Sequence, residues 1–334
     1  MIEEVERIAQ RILSRETQRR EEALALRRQN PDFFLKINPV VPSGRFGAVD
    51  GGLLAYEYMG FELIAVRAVG VRYTYGAGHL ASVDYYPSPS PPPRFFPYDM
   101  PLEEENVGPL RSLTRLLVEI GTAVDFLRNT DLDMLFLDGS ILPQLVDKPR
   151  GGDSELKRLY RRVIDLYRQL FATAKERGVV LAGVVKDSKG SRLSTYLGAP
   201  PYRDASWLHY AMEVGEMTRP IPYADKPEDQ ATLKDLGTDL AAHVWVFFLK
   251  ASDLDRPFRV EFYSEDPRLG ERIAEVLLPL SQVNRMYTIP PFLLEADIRA
   301  RLVKQSLSYY KELLDRRLGA MYNFFRMRGA NKPF

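Results

Sequence analysis

The sequence has 334 residues, of which 45% are hydrophobic and 27% charged, and this ordinary globular composition excludes disordered and collagen-like chains. It contains no cysteine and three histidines, which excludes disulfide scaffolds, thiol catalysis and zinc sites built on thiolates. The 46 basic and 45 acidic residues nearly cancel to a formal net charge of +1, which by itself argues against a strongly basic protein that wraps nucleic acid.

The first third of the chain predicts a helix and then three strands. Apolar residues at helical spacing over 2–28 predict an amphipathic N-terminal helix, which forms an arm over residues 1–34. Strands are predicted at 46–50, with a resumption at 53–59, and at 61–74 and 79–86, and the short connections favour antiparallel pairing. Residues 87–101 hold seven prolines, which predicts a rigid surface loop.

The middle of the chain alternates between helices and buried strands. Helices are predicted at 103–128 and 154–177, and strands at 133–140 and 178–188. The resulting order β-β-β-α-β-α-β predicts an α/β fold with a mixed sheet, in which three antiparallel strands precede an alternating α/β half. This is the core order of the ribonuclease H-like fold.

The last part of the chain is predicted as an insertion followed by terminal helices. The insertion covers about 189–265 and contains a short helix near 204–214 and a strand pair at 241–250 and 256–263. Helices are predicted at 267–283 and 290–317. We expect one main domain over 35–317 and a C-terminal tail over 318–334, whose aromatic and basic residues either dock a partner or pack against their own domain.

Two segments share the form of an apolar run followed by Asp, Gly and a small residue. They are AVDGG (48–52) and LFLDGS (135–140), with Asp50 and Asp138 as the acids. An Asp at the end of a buried strand projects at the edge where open α/β sheets build their sites. A strand followed by Asp-Gly is also a common turn, but two such elements on neighbouring strands favour a site.

A third carboxylate belongs to the predicted helix between these two strands. Glu119 borders the apolar stripe of that helix, so it either reaches inward or lies solvated on the surface. Close carboxylates repel one another unless a cation neutralises them. Oxygen ligands favour Mg²⁺ or Mn²⁺ over zinc, and two such ions can clamp both oxygens of a phosphodiester during its displacement.

Basic residues follow the last predicted strand of the alternating half. Lys186 leaves the same sheet edge as the two aspartates, where it either positions a scissile phosphate or pairs with Asp187 beside it. Lys189 and Arg192 are candidates for binding the flanking phosphates, with exposed loop cations as the simpler interpretation.

Taken together, these pieces resemble the NurA nuclease family over about residues 35–310. The motifs that carry the resemblance are AVDGG (48–52), the helix with Glu119, LFLDGS (135–140), VVKDS (184–188) and PPFLLEAD (290–297), in the family's order. The resemblance implies a NurA-type nuclease domain, a Mn²⁺-dependent enzyme (with Mg²⁺ as the alternative ion) that degrades single- and double-stranded DNA 5′ to 3′ and cuts single strands internally. It also implies a ring-like homodimer that works with a HerA-type hexameric translocase in DNA end resection and repair.

The resemblance also assigns roles to individual residues. Asp50, Glu119 and Asp138 match the metal-binding carboxylates of the family, and Lys186 matches its basic residue. The last motif reads approximately YPxPLxxAH in archaeal members and IPPFLLEAD here. Asp297 therefore stands at the position of the family histidine and is expected as a fourth ligand.

The same alignment places Ile289 at the position of the family tyrosine. Tyr287, two residues earlier, is a candidate substitute for it. Just beyond Asp297, Arg299 and Arg301 are the best candidates for DNA contacts on the C-terminal helix, where phosphate contacts give affinity without reading sequence.

Two other functions remain open at this point. One is an actin- or sugar-kinase-like ATP phosphotransferase, because those folds also place Asp-Gly elements at strand ends. The other is a non-catalytic adaptor of a DNA translocase. The sequence has no P-loop motif, so any motor must be a separate protein. No apolar run approaches the ~20 residues of a membrane helix and the N-terminus does not resemble a secretory signal, so we expect a cytoplasmic protein with no membrane segment.

Overall fold

A computed structural model describes residues 2–99, 104–200 and 202–321. In chain order the elements of the first half are α1 (Ile2–Gln29), β1 (Phe34–Lys36), β2 (Gly44–Glu57), β3 (Phe61–Gly76), β4 (His79–Tyr86), β5 (Arg94–Asp99), α2 (Glu104–Asn129), β6 (Met134–Asp138), α3 (Ser154–Arg177) and β7 (Val180–Val185). Those of the second half are α4 (Arg192–Tyr196), α5 (Asp204–Ala211), β8 (Glu216–Thr218), β9 (Ile221–Pro222), α6 (Ala231–Leu236), α7 (Thr238–Ala241), β10 (Val244–Lys250), β11 (Phe258–Tyr263), α8 (Leu269–Ser281), α9 (Pro291–Ala300) and α10 (Lys304–Leu318).

The strands form one mixed sheet in the order β1-β8-β10-β11-β7-β6-β2-β3-β4, with β5 paired to β3 and β9 paired to β10. The pairs β2–β6 and β6–β7 are parallel, and the remaining pairs are antiparallel. Parallel neighbours require crossover connections, and α2 and α3 supply them. The predicted mixed α/β sheet is therefore confirmed, and the strands of 241–263 extend this same sheet.

Helices cover both faces of the sheet, and the alternation of side chains along the strands feeds two cores. On β2, Val49 packs with α2 and α3 in one core, whereas Ala48 packs with α8 and α9 in the other. The first core includes Leu113 and Ile120 of α2, and the second includes Phe292 of α9. Successive residues in the middle of β2 thus face α2 and α9 in turn.

The proline-rich segment differs from the predicted surface loop. Residues 94–99 form the edge strand β5, in which Pro97 lies opposite Leu63 of β3. Proline is tolerated in an edge strand because its missing N–H takes nothing from a ladder on that side. Among the described residues, the prediction of a loop was correct only for those before Arg94, and Met100 and Pro101 lie outside the described residues.

The prediction of a single C-terminal helix over 290–317 is wrong in one respect, because two helices, α9 and α10, occupy this range. α9 ends at Ala300, where Arg301 adopts an extended backbone with φ −54° and ψ 129°. Leu302 in the break is 8% exposed and packs with Ala65 of β3 and Leu307 of α10. The break lets an apolar side chain reach the sheet, which a straight helix would not allow.

The N-terminal helix is anchored through its second half. Ala23 is buried, and Arg27 donates to both carboxylate oxygens of Glu216 at 2.7 and 2.8 Å. Apolar residues of its first half, such as Ile2 and Leu13, are exposed. Within the described residues, no helix is both long and apolar enough to cross a membrane.

Candidate metal centre

Two parallel strands place two aspartates side by side where their pairing ends. Asp138 is the last residue of β6, whereas Asp50 lies in the middle of β2, which continues to Glu57 in its pairing with β3, so the strand end predicted at Asp50 is not found. The last register pair between β2 and β6 joins Val49 to Leu137, so Asp50 and Asp138 are the next residues along each strand. Asp50 has the same parity as Ala48 and therefore faces α9. The backbone N–H of Gly51 donates to Asp50 Oδ1 at 2.7 Å, which fixes the orientation of this carboxylate.

The third aspartate comes from α9, which lies directly on β2. A Cβ atom on Gly52 would approach the Ala300 carbonyl oxygen to 2.2 Å. This position therefore requires glycine if the end of α9 is to contact the strand. The contact brings Asp297, one turn earlier in α9, to Asp50 and Asp138.

Carboxylate oxygens of Asp50, Asp138 and Asp297 all lie within 4.8 Å of one another. Burial and then the neighbouring Asp138 carboxylate raise the pKa of Asp50 to about 6. Burial also raises the pKa of Asp138. Both shifts have the sign expected when carboxylates are held close together in a partly desolvated place.

Glu119 approaches the same point from the other face of the sheet. Its Oε2 lies 2.6 Å from the position that a Cβ of Gly51 would occupy, so Gly51 makes room for it. The side chain forms an ion pair with Arg115, one turn earlier in α2. Burial raises the pKa of Glu119 to about 8, although Arg115 opposes this and the two strand aspartates add to it.

The turn after Asp138 is held in place by β11. Gly139 has φ +136°, and a Cβ on Gly183 of β7 would meet the Gly139 carbonyl oxygen at 2.3 Å. Glu261 is 1% exposed and accepts hydrogen bonds from Ser140 Oγ at 2.6 Å and from the Ile141 N–H at 3.1 Å. Glu261 therefore fixes the turn that carries Asp138.

A lysine lies against the aspartates at the end of β7. Lys186 Nζ donates to Asp138 Oδ2 at 2.6 Å, and it lies 6.0 Å from the ring centroid of Tyr287. Burial lowers the pKa of Lys186, but the Asp138 carboxylate and Tyr287 together raise it above its ordinary value, so that the lysine stays protonated. The pairing is with Asp138; Asp187 instead contacts Arg256 at 3.3 Å.

The four predicted DNA-binding cations occupy different environments. Lys189 is exposed in the loop after β7. Arg192 is not a free cation, because it forms a bidentate pair with Asp225 and donates to the Pro222 carbonyl at 3.0 Å. Its geometry joins α4 to β9 and does not favour a phosphate contact.

The two arginines of the C-terminal region also have partners. Arg299 pairs with Glu295 at 2.8 Å and stacks over the Tyr85 ring at 5.0 Å. Arg301 reaches Asp297 at 3.0 Å with a guanidinium that is largely exposed. Arg301 is thus the predicted DNA-binding residue that the structure brings to the carboxylate cluster.

The donor set fits a hard divalent cation. Three carboxylates converge from separate elements, and oxygen ligands of this kind suit Mg²⁺ and Mn²⁺. A bound cation would relieve the repulsion that raises the pKa of Asp50. Asp50, Asp138 and Asp297 are the residues that would hold it, with Glu119 adjacent on the opposite face.

Comparison with known proteins agrees with this geometry. The family model described as the NurA domain matches residues 44–309. The chain belongs to the NurA family. The fold is similar to a crystal structure of the NurA nuclease from Sulfolobus solfataricus, with a TM-score of 0.63, 16% sequence identity and coverage of 94% of each chain.

Two further NurA crystal structures are similar in fold. One is of NurA with manganese, with a TM-score of 0.60, 11% identity and coverage of 95% of this chain and 98% of the other. The second is of NurA bound to dAMP and manganese, with a TM-score of 0.59, 9% identity and coverage of 94% and 97%. The search of curated proteins gives no match.

Within this NurA-family site, sequence reasoning missed two residues. Arg115 is four positions before Glu119, and an i, i+4 pair on a helix was a signal that could have been used. Glu261 is a lone acid inside the apolar strand RVEFY, and a charge in a buried strand also marks a required partner. The structure places Ile289 in the core at 7% exposure and Tyr287 over Lys186.

Proposed function

We propose that this NurA-family chain is a metal-dependent DNA nuclease that hydrolyses phosphodiester bonds and uses Mn²⁺, with Mg²⁺ as the alternative ion. The observation that carries the proposal is the convergence of Asp50, Asp138 and Asp297 at one sheet edge. Family membership and the NurA structures that contain manganese and dAMP support it.

Each residue of the site has a proposed role. Asp50, Asp138 and Asp297 would hold the metal, and Glu119, on the α2 face beside Gly51, is proposed as a fourth ligand. When bound, the ion would polarise the phosphodiester and lower the pKa of an attacking water. Lys186 holds its ammonium beside Asp138, where it can bind a non-bridging phosphate oxygen and offset developing negative charge.

Arg115 supports the proposed metal ligands through its contact with Glu119 on α2. Its ion pair holds the buried carboxylate of Glu119 beside Gly51 of β2. Glu261 holds the turn after Asp138 in place by accepting hydrogen bonds from Ser140 and Ile141. Both act through another residue, and we assign them positioning roles.

We further propose that the core is ribonuclease H-like. The central strand order β4-β3-β2-β6-β7, with β3 antiparallel and β6 parallel to β2, supports this. Asp138 ends β6 at the carboxyl edge, where open α/β sheets place their sites, and Asp50 lies beside it on β2. The match in strand order and in the location of the carboxylates is the argument for the assignment.

The finer activities follow from the family resemblance. We propose a 5′–3′ exonuclease and single-strand endonuclease that acts as a homodimer with a HerA-type translocase in DNA end resection and double-strand break repair in the cytoplasm. The exposed apolar residues at the start of α1 give a second copy or a translocase a surface to contact. Light scattering and co-purification with a HerA-type protein test these two assemblies.

The nuclease activity is tested with linear DNA labelled at the 5′ or the 3′ end. We expect Mn²⁺-dependent degradation that stops in EDTA and is lost in Asp138→Asn. Asp84→Asn is a matched control, since Asp84 is an exposed β4 carboxylate paired with Arg72, and it should cleave at the wild-type rate. Wild-type activity in Asp138→Asn would refute the site assignment.

The same assay separates the other two functions. An adaptor of a translocase would remain inactive with Mg²⁺, Mn²⁺ and Co²⁺. An ATP phosphotransferase would release phosphate from ATP in the absence of DNA. Which label is lost first determines whether digestion runs 5′ to 3′.

A further inference from the structure

A concave basic surface lies on the opposite side of the sheet from the aspartates. It is a groove of about 590 Å³ between α3 and α6. Five of its lining residues are cations and two are acids. They are Lys148, Lys157, Arg161, Arg168, Lys234, Asp165 and Asp235. We call this set the α3–α6 groove.

The two acids of the groove are already neutralised. Asp235 accepts from Lys148 Nζ at 2.6 Å and from the Tyr160 hydroxyl at 2.8 Å. Asp165 pairs with Arg168 at 2.7 Å. Their charges therefore do not compensate the remaining cations of the groove.

Three cations remain without an acidic partner among the described residues: Lys157, Arg161 and Lys234. Arg161 donates through Nε to the Lys157 carbonyl at 3.3 Å. Its two terminal nitrogens make no hydrogen bond to a described residue, which leaves the planar fork that suits bidentate phosphate contacts. The groove thus offers about three charges to an anionic ligand.

The groove is elongated along α3. Lys157 and Arg168 are eleven residues apart on one helix, a distance of roughly 16 Å at 1.5 Å per residue. On one strand of duplex DNA this length corresponds to about five phosphates at 3.4 Å each. α3 begins after the loop that leaves Asp138, so the end with Lys148 and Lys157 is nearer to the carboxylate edge of the sheet.

The lining favours a phosphate backbone over an acidic protein segment. Ile164 is 3% exposed and Tyr160 is 6% exposed, so neither offers an exposed anchor side chain to a protein partner. Protein interfaces rely on buried aromatic and aliphatic anchors, whereas phosphate contacts require mainly cations. We propose that the α3–α6 groove binds the sugar-phosphate backbone of DNA at a second site, outside the carboxylate cluster. The choice of DNA rests on the proposed nuclease function.

The test compares two double variants on the same helix. Lys157→Gln/Arg161→Gln removes two charges from the groove. Arg158→Gln/Arg162→Gln removes two exposed charges one position along, which do not line it. All four side chains are exposed, so both variants should unfold at the wild-type temperature.

Binding of a labelled linear duplex is measured by fluorescence anisotropy in EDTA over a range of salt concentrations. We expect the groove variant to reduce the slope of log K against log salt by about 1.8, since each phosphate contact contributes about 0.9. The control variant should keep the wild-type slope. Equal losses in both variants, or none in the groove variant, would overturn the proposal.

A parallel measurement uses polyglutamate in place of DNA. Loss of polyglutamate binding in the groove variant with unchanged DNA binding would show an acidic-protein surface and also overturn the proposal. Because no cleavage is needed, an inactive wild type would refute the proposed nuclease function without changing this readout. The two failures are therefore distinguishable.

Discussion

We expect the three close carboxylates of Asp50, Asp138 and Asp297 to destabilise the metal-free protein at neutral pH. The pKa of Asp50 is raised from 3.8 to about 6 by burial and by Asp138. One pKa unit corresponds to about 1.4 kcal/mol, so the cost of ionising Asp50 in the folded protein is roughly 3 kcal/mol. Replacing it by Asn removes the charge and nearly keeps the shape.

The sign of the effect follows from proton linkage. The folded pKa lies above the unfolded one, so the folded protein binds the proton more tightly. The contribution of Asp50 protonation to the free energy of unfolding is complete below pH 3.8 and is lost as the pH rises through about 6. In EDTA, Asp50→Asn should therefore be more stable than the wild type at pH 8 by up to about 3 kcal/mol, with the difference declining as the pH falls below 6.

The measurement is thermal unfolding by circular dichroism in EDTA at several pH values. For a chain of this size, the increase in the free energy of unfolding corresponds to a rise in the midpoint temperature of unfolding on the order of 5 °C. Added Mn²⁺ should reverse the order at saturation, because binding at 1,000 times Kd stabilises the wild type by about 4.1 kcal/mol, which exceeds the roughly 3 kcal/mol advantage of a variant that has lost one metal ligand. Asp84→Asn, which changes an exposed carboxylate of β4, serves as the control substitution. A metal-free Asp50→Asn that is no more stable than the wild type at pH 8 would refute the reasoning.

Three further substitutions test the neighbouring contacts. Lys186→Met should lower the cleavage rate on the order of 100-fold and leave folding intact, because it removes the ammonium beside Asp138; a circular dichroism spectrum that differs from the wild type would instead indicate a structural role. Gly52→Ala should destabilise the protein by more than about 1 kcal/mol, because its Cβ would meet the Ala300 carbonyl at 2.2 Å; an unchanged denaturant midpoint contradicts this contact. Glu261→Gln should raise the Mn²⁺ concentration needed for half-maximal cleavage on the order of 10-fold, because it weakens a supporting hydrogen bond near the metal site. If the Mn²⁺ titration of the variant equals that of the wild type, Glu261 has no positioning role.

Local patterns were sufficient for the elements that carry two of the aspartates. β2, β6, β7, α2 and α3 follow from apolar periodicity and lie within a few residues of the predicted bounds. The apolar run before Asp138 correctly predicted the end of β6, because buried strands have a recognisable composition. Asp50 was also predicted at a strand end, but β2 continues past it to Glu57, paired with β3. β5 was missed because seven prolines argue against any strand, and only its position at the sheet edge makes Pro97 acceptable.

The sequence by itself determined the chemistry that this protein can use, since a chain without cysteine and with three histidines leaves carboxylate oxygen as the main metal ligand. Its motif order also identified the family, which the domain match confirms. Only the tertiary structure decided which acids meet. Asp297 lies 247 positions after Asp50, and its approach depends on the close contact of α9 with Gly52 and on the helix break at Arg301. The pairing of Arg192 with Asp225 and of Arg115 with Glu119 was likewise decided by packing, because residue type and helical period do not specify which charge a long side chain will reach.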